Sequence, residues 1–295
     1  MTLDGVLPAI PTPFRDDVLD PDALARNVER LMTTSVLGVV VLGSNGEATL
    51  VDETESDRII EAVREHVPRE RLVIAGTGRE STKAAADASK RAARLGADAV
   101  LVRTPSYFKS QMTAGAFVDH YTAVADVSPV PVLLYNFTAL TGVTLPVSAV
   151  TRLAEHPNIL GMKESGSDMG LVADLIDQTP DDFRMLVGSA PTFYSALMLG
   201  ARGGVLALAS VVPDLCVDLY DLVQANRLVE ARSLQRKLTP LAHLVTRVHG
   251  VPGLKAALSL VGYAGGKPRP PLRPVSEAAI TELRQALDML NVPVS

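Results

Sequence analysis

Eight short, nearly unbroken apolar runs recur along this chain, and they constrain its fold more than any other feature. They are "GVLPAI" (5–10), "GVVVLG" (38–43), "RLVIAGTG" (71–78), "DAVLVRTP" (98–105), "VPVLLYN" (130–136), "NILGMKE" (158–164), "FRMLVGS" (183–189) and "GGVLALAS" (203–210). None alternates apolar with polar residues, as a strand with one wet face does. Each therefore reads as a strand buried on both faces, the habit of parallel sheets.

Amphipathic stretches separate them, near 21–34, 52–66, 81–95, 113–126, 146–155, 168–178, 191–199 and 213–225. Ser81 is placed to cap one of these helices and Gly96 to stop it. Asp52 precedes an acidic first turn, which the helix dipole favours. Eight strands alternating with eight helices predict a (β/α)8 TIM barrel. A doubly wound sheet shares the alternation, but eight units with no antiparallel tail favour the barrel. Three further helices are expected at 227–249, 252–263 and 276–291, with the Gly/Pro-rich connector "GYAGGKPRPPLRP" over 262–274. The expected organisation is a catalytic barrel over 1–225 and a C-terminal helical extension over 226–295, packed on the barrel.

Composition narrows the function. The chain has 295 residues, is 47% hydrophobic, and carries a net charge of −5 without a polybasic run. Nucleic acid and anionic membrane are not expected partners. No apolar stretch approaches the ~18 residues of a spanning helix, and the N-terminus does not read as a signal peptide. The single cysteine, Cys216, cannot form an internal disulfide. A cytoplasmic protein is expected.

In a barrel the active site lies at the C-terminal ends of the strands. Polar residues at those ends are Ser44, Asn45 and Glu47 after strand 2, Tyr107 after strand 4, and Tyr135 and Asn136 on strand 5. Lys163, Glu164 and Ser165 end strand 6, and Gly188 to Ala190 end strand 7. Alternation of side chains predicts that Lys163, Gly161 and Ile159 face the barrel axis while Leu160 and Met162 face the helices. Gly161 is then expected to leave room for a ligand beneath the amine. Leu133 and Tyr135 share a face.

A lysine held out of water supplies neutral amine near pH 7. Neutral amine attacks a ketone to give an imine that withdraws electrons. A neighbouring tyrosine hydroxyl can move the protons this requires. Taken singly, each residue has a plainer reading: a solvated strand-end lysine, a rim aromatic, a turn at "GSNGE". "GTGRES" (76–81) lacks the ending of a phosphate loop, and "YAGGKP" follows no strand. Glu53, Glu55 and Asp57 read as a solvated helix face. The five histidines have no ligand spacing, so no metal is expected. The combination at the rim raises Lys163 above its individual standing.

The motifs "GSNGEATLVDETE", "TPSYF", "YNFTALTG", "GMKESGSD" and "GSA" resemble the dihydrodipicolinate synthase/N-acetylneuraminate lyase superfamily, class I aldolases and lyases acting on pyruvate or 2-oxo acids. The resemblance runs from "IPTPF" to the C-terminal helices. It implies a homotetramer, a dimer of dimers, with no metal or organic cofactor, the chemistry running through a covalent imine. By position it makes Lys163 the Schiff-base lysine and Tyr135 the proton-relay tyrosine. Ser44 and Asn45 become the carboxylate-binding pair, with Ser44 keeping the relay hydroxyl. Tyr107 matches a tyrosine that, in several members, reaches the neighbouring subunit's site.

Departures refine this. Synthases of the family carry an arginine at the position of Leu140, where it grips the aldehyde's carboxylate. Leucine cannot. Sialic acid lyases need acidic residues after Gly188, and Ser189, Ala190 and Pro191 stand there instead. "GSNGE", "ADVSPVPVLLY", "HPNILGMKES" and "GVPGLKAAL" most resemble 4-hydroxy-2-oxoglutarate aldolases, in which the serine at the position of Ser165 lines the site; Ser165 and Gly188 are expected to shape the distal pocket. That group has asparagine at 140 and proline at 138, so Leu140 and Thr138 imply a less polar outer pocket. The resemblance implies a lyase cleaving 4-hydroxy-2-oxoglutarate to pyruvate and glyoxylate. Alternatives are a dihydrodipicolinate synthase, another lyase or dehydratase of the superfamily, or a barrel that only binds or senses 2-oxo acids.

Overall fold

The computed structural model describes residues 1–294. Eight parallel strands form the sheet: β1 (Gly5–Pro8), β2 (Gly38–Val41), β3 (Leu72–Gly76), β4 (Ala99–Arg103), β5 (Val132–Asn136), β6 (Ile159–Glu164), β7 (Arg184–Val187) and β8 (Gly203–Leu206). Each pairs with its sequence neighbour from β2 to β8, and β8 pairs with β1. The seam between β1 and β2 is a bridge, Ala9 to Val40, with Ile10 N–H donating to Val40 O at 3.0 Å. The sheet thus curls into the expected barrel, and the strand ladder satisfies backbone groups that have no access to water.

Two apolar layers hold it. Leu7, Val40, Ile74, Leu101, Leu133, Leu186 and Val205 fill the barrel axis. The opposite strand faces join the helices in one outer core, which holds Val39 and Val41 together with Ile59, Ile60 and Val63. Strands buried on both faces explain why the runs carry no alternation.

The helices start and stop as their ends require. The Ser81 hydroxyl accepts the Ala84 N–H at 3.1 Å at the start of Thr82–Arg94, and Gly96 follows in the left-handed region at φ 95°. Asp52 and Glu55 form a reciprocal capping box at Glu53–His66. A one-turn helix, Thr138–Thr141, was not expected; it closes on Gly142, whose φ is 68°. The helix expected over 227–249 is Leu228–His243, continued by a wider turn at Leu244–Val248 before Gly250–Leu260 begins.

The C-terminal helices reach the barrel rim. Gln235 accepts the Tyr194 N–H at 2.9 Å and donates to Ala190 O at 3.1 Å, holding the loop after β7. Asn27 exchanges two hydrogen bonds with the Ala264 backbone, at 2.9 and 2.8 Å.

The expected parity of β6 holds only near its end. Ile159 packs with the outer core and Leu160 against the inner cluster, the reverse of the expectation, while Met162 faces outward as expected. The cause is an irregularity in the ladder: Val132 pairs with Ile159 but Leu133 with Gly161, so Leu160 is an extra residue. Alternation counted from the strand's start is broken there.

Candidate active site

The rim residues converge as the strand ends dictate. Tyr135 and Lys163 are direct neighbours in the β5–β6 ladder. Both are 4% exposed, although each has a polar tip. The Lys163 Nζ lies over the Tyr135 ring, 4.5 Å from its centroid. The Tyr135 hydroxyl meets the Ser44 hydroxyl at 3.0 Å. An amine and two linked hydroxyls therefore share one buried corner, at the end where a barrel presents its loops.

The "GSNGE" loop has a shape suited to an anion. The N–H groups of Gly46, Glu47 and Ala48 are consumed within the turn, by the carbonyls of Gly43, Ser44 and Gly43. Those of Ser44 and Asn45 have no partner among the described residues. Consecutive free N–H groups make an anion-binding concavity. Two non-glycine residues bracket this loop in the left-handed region, Leu42 at φ 55° and Glu47 at φ 57°. Such geometry costs on the order of 1–3 kcal/mol per residue and persists where neighbours enforce it. The Asn45 amide donates to Ala9 O at 3.4 Å, tying the loop to the residue that follows β1.

Ser165 and Gly188 sit beside the lysine. The Ser165 hydroxyl is buried with no hydrogen-bond partner. A Cβ on Gly188 would lie 2.0 Å from it and 2.7 Å from Lys163 Cε. Gly188 is therefore what makes space beside the amine. Gly161, expected to do this, does something else. A Cβ there would lie 2.2 Å from the Arg184 carbonyl oxygen, so its role is close approach of β6 to β7.

Behind the corner, Glu164 and Asn136 are both buried. The Asn136 amide donates to Glu164 Oε2 at 2.6 Å, and its oxygen accepts the Leu145 N–H at 3.0 Å. Glu164 Oε1 accepts the Gly166 N–H at 2.6 Å. Burial pushes the Glu164 carboxyl above its ordinary range, opposed by the Asn136 hydrogen bond. This bracket joins the loops after β5 and β6.

Two expected site residues are exposed, unlike Lys163 and Tyr135. Leu140 is 64% exposed on the turn Thr138–Thr141. Tyr107 is 76% exposed, edge-on to Phe108 with centroids 5.1 Å apart. The Glu80 carboxylate fixes its loop by accepting the N–H groups of Ser106 and Tyr107, each at 2.9 Å. Of the carboxylates read as a solvated face, Glu53 is exposed as expected and pairs with Arg79 and Arg91, Asp57 pairs with Arg91, and the more buried Glu55 pairs with Arg269. Their partners lie far away in sequence, which no local pattern displays. Sequence reasoning also missed Lys255, 1% exposed and ion-paired with buried Glu47. The only available signal was a lysine inside the apolar run "GLKAAL". Among the described residues, no group of three or more His, Cys, Asp or Glu is placed to hold a metal ion. None of the helices described is long and apolar enough to cross a membrane.

A buried amine beside a linked hydroxyl pair at a barrel mouth suits the class of barrel lyases that work on oxo acids through an imine. Comparison with known proteins takes this further. Residues 2–290 match the dihydrodipicolinate synthetase family, and the chain belongs to it. It is 36% identical over 294 residues to the 4-hydroxy-tetrahydrodipicolinate synthase of Methanopyrus kandleri, covering 98% of this chain and 97% of that one. The dihydrodipicolinate synthase of Thermotoga maritima superposes with a TM-score of 0.95 at 29% identity, over 99% of this chain and all (100%) of the other. The chloride-inhibited enzyme of Acinetobacter baumannii, solved with pyruvate, gives 0.94 at 30% identity, over 99% and 100%. The chain is a carbon–carbon lyase of the pyruvate-type class I aldolases, a family whose enzymes use a lysine imine and no cofactor. The relatives named here are synthases, the alternative in the sequence reading, rather than 4-hydroxy-2-oxoglutarate aldolases.

Proposed function

We propose that this enzyme cleaves a 4-hydroxy-2-oxo acid, 4-hydroxy-2-oxoglutarate first among them, to pyruvate and an aldehyde. One observation supports the choice over the synthase reaction: Leu140 lies on the turn after β5, at the position where the resemblance implies an arginine in the synthases. The unpartnered Ser165 hydroxyl beside Gly188 offers a neutral donor for the distal end of a short substrate instead.

In this reading the free N–H groups of Ser44 and Asn45 take the C1 carboxylate, which presents the C2 ketone to Lys163. The amine attacks C2, and loss of water gives an iminium. Its positive nitrogen draws electrons from the C3–C4 bond. Tyr135, its hydroxyl bonded to Ser44, gives its proton to the departing water as the iminium forms; the phenolate left behind takes the proton from the C4 hydroxyl as the C3–C4 bond breaks and the aldehyde leaves. The enamine is protonated at C3 and hydrolysed to pyruvate, which frees the amine. Leu133, Leu186 and Ile74 below keep the base of the site dry.

The second reading, condensation of pyruvate with an aldehyde in the manner of a synthase, is favoured by the names of the relatives. It uses the same imine. Exposed Tyr107 and Phe108 support assembly with further copies, for which we adopt the dimer of dimers. The reduced, buried Cys216 fits the cytoplasm.

The test has two arms. Incubation with pyruvate and borohydride should add mass to the peptide carrying Lys163, and Lys163→Ala should abolish it. An unmodified peptide, where a control aldolase is trapped, removes the imine mechanism. Pyruvate release from 4-hydroxy-2-oxoglutarate, compared with synthase turnover on the same preparation, decides between the two reactions.

A further inference from the structure

The most heavily bonded polar cluster outside the reacting groups lies where the C-terminal segment meets the loop after β2. Glu47 ends that loop and is 3% exposed; Lys255, from the helix Gly250–Leu260, is 1% exposed. They form a direct ion pair. Neither is left with that bond alone. The Lys255 ammonium also donates to Lys267 O at 2.9 Å, and the other Glu47 oxygen accepts the Arg269 N–H at 2.7 Å. The Arg269 guanidinium then donates to Leu50 O at 2.8 Å and, two-pronged, to Glu55 at 2.6 and 2.7 Å. It also donates to Asp17 Oδ1 at 2.9 Å and Asp17 O at 2.7 Å. Both cations lie over the Phe14 ring, Lys255 at 4.6 Å and Arg269 at 4.1 Å. Thr12 adds a bond to Gly46 O at 2.8 Å.

A buried ion pair is a poor way to gain stability, because desolvation offsets the attraction. It is a good way to fix a geometry, since a displaced partner leaves a buried charge unpaired. The geometry fixed here is unusual. Glu47 itself is left-handed, and the segment it closes presents the free N–H groups of Ser44 and Asn45. On the other side, β3 sets a hard floor: a Cβ at Gly76 would lie 1.8 Å from the Leu42 carbonyl oxygen.

We propose that Glu47, Lys255 and Arg269 are positioning residues, through which the C-terminal segment holds the backbone of residues 43–47 in the shape that receives the substrate carboxylate. This rests on the imine reading above, and it makes the C-terminal helices part of the binding site rather than a separate cap. They touch no reacting atom. Their effect falls on binding of the 2-oxo acid, because carboxylate contacts are alike in ground and transition states.

The experiment uses the full chain and two charge-removing variants, the isosteric Glu47→Gln and the shortened Arg269→Gln, each checked for parental circular dichroism. Two quantities are read: the pyruvate concentration giving half-maximal borohydride trapping, and kcat for cleavage at saturation. The expected result is a rise of about tenfold in the first with kcat held within about threefold. A structural role alone lowers the folded fraction and leaves the half-saturation point of the remaining enzyme in place. Half-saturation within about twofold of the parent in folded variants overturns the proposal. Should Glu47→Gln not fold, Arg269→Gln decides: it keeps the main-chain N–H to Glu47 but releases the segment that carries it from Asp17, Leu50 and Glu55. If the parent chain itself is not trapped by pyruvate, the imine reading fails and this proposal falls with it.

Discussion

The Ser44 and Tyr135 hydroxyls stand 3.0 Å apart although 91 residues separate them in the chain. One belongs to the loop after β2 and the other to the end of β5, so only the closed barrel brings them together. Tyr135 is buried against the Lys163 amine, whereas Ser44 is half-buried on the loop. The pair thus runs from the amine towards the loop. Tyr135→Phe keeps the ring against Lys163 but breaks this line. It should lower kcat by roughly two or more orders of magnitude. Ser44→Thr keeps a hydroxyl and should cost less than Ser44→Ala. Initial rates of pyruvate release measure all three, and equal rates for the threonine and alanine variants contradict a relay through Ser44.

Gly188 and Gly161 make opposite predictions from one chemical change. A methyl on Gly188 meets the Ser165 hydroxyl and Lys163 Cε, both side-chain atoms of the site. Gly188→Ala should therefore fold and lose about 100-fold in turnover, the effect of displacing a reacting group by about an ångström. A methyl on Gly161 meets the Arg184 backbone carbonyl. Gly161→Ala should separate β6 from β7 and destabilise the fold by about 2 kcal/mol or more. Thermal melting beside steady-state kinetics distinguishes the two, and a Gly161→Ala protein melting with the parent refutes the packing argument.

The barrel was legible because burial on both faces leaves an unambiguous mark: long apolar runs at regular intervals. Lys163 was legible for the related reason that a cation ends such a run. What escaped was whatever depends on two distant segments meeting. The extra residue at Leu160 shows only in the pairing with β5, so counting alternation placed Ile159 and Leu160 on the wrong faces. Space beside Lys163 comes from Gly188, just past the end of the next strand, not from Gly161 on its own. Glu55 looked solvated because its partner, Arg269, lies 214 residues away. Leu140 carried information in the opposite sense, through what it fails to supply.

His120 gives the chain an acid limit. It is 5% exposed, its Nδ1 bonded to the Thr82 hydroxyl at 2.9 Å and its Nε2 buried without a partner. Burial lowers its pKa to about 4, with Glu80 opposing the shift and Arg103 reinforcing it. The folded state therefore binds this proton less readily than the unfolded chain, whose histidine titrates near 6.5. The stabilisation is complete above about pH 6.5 and is lost as pH falls towards 4, by roughly 3 kcal/mol in all. His120→Gln can keep a bond to Thr82 and has no proton to gain. Its melting temperature should fall less between pH 6.5 and 4 than the parent's. Parallel curves for the two proteins would falsify the assignment to His120.

Leu140→Arg tests the basis on which the two reactions were separated. The side chain is exposed on a turn, so an arginine there meets no packing obstacle and remains solvated until substrate arrives. An aldehyde with a carboxylate at its far end gains a charge-assisted contact that leucine cannot make. For a partly exposed pair this amounts to roughly 1 kcal/mol, or about fivefold in kcat/KM. Condensation of pyruvate with such an aldehyde should rise by that factor. Trapping by pyruvate alone should not change, because pyruvate carries no second carboxylate for the arginine to meet. If the parent chain already condenses the longer aldehyde as fast as the arginine variant, Leu140 does not discriminate, and the synthase reading takes precedence.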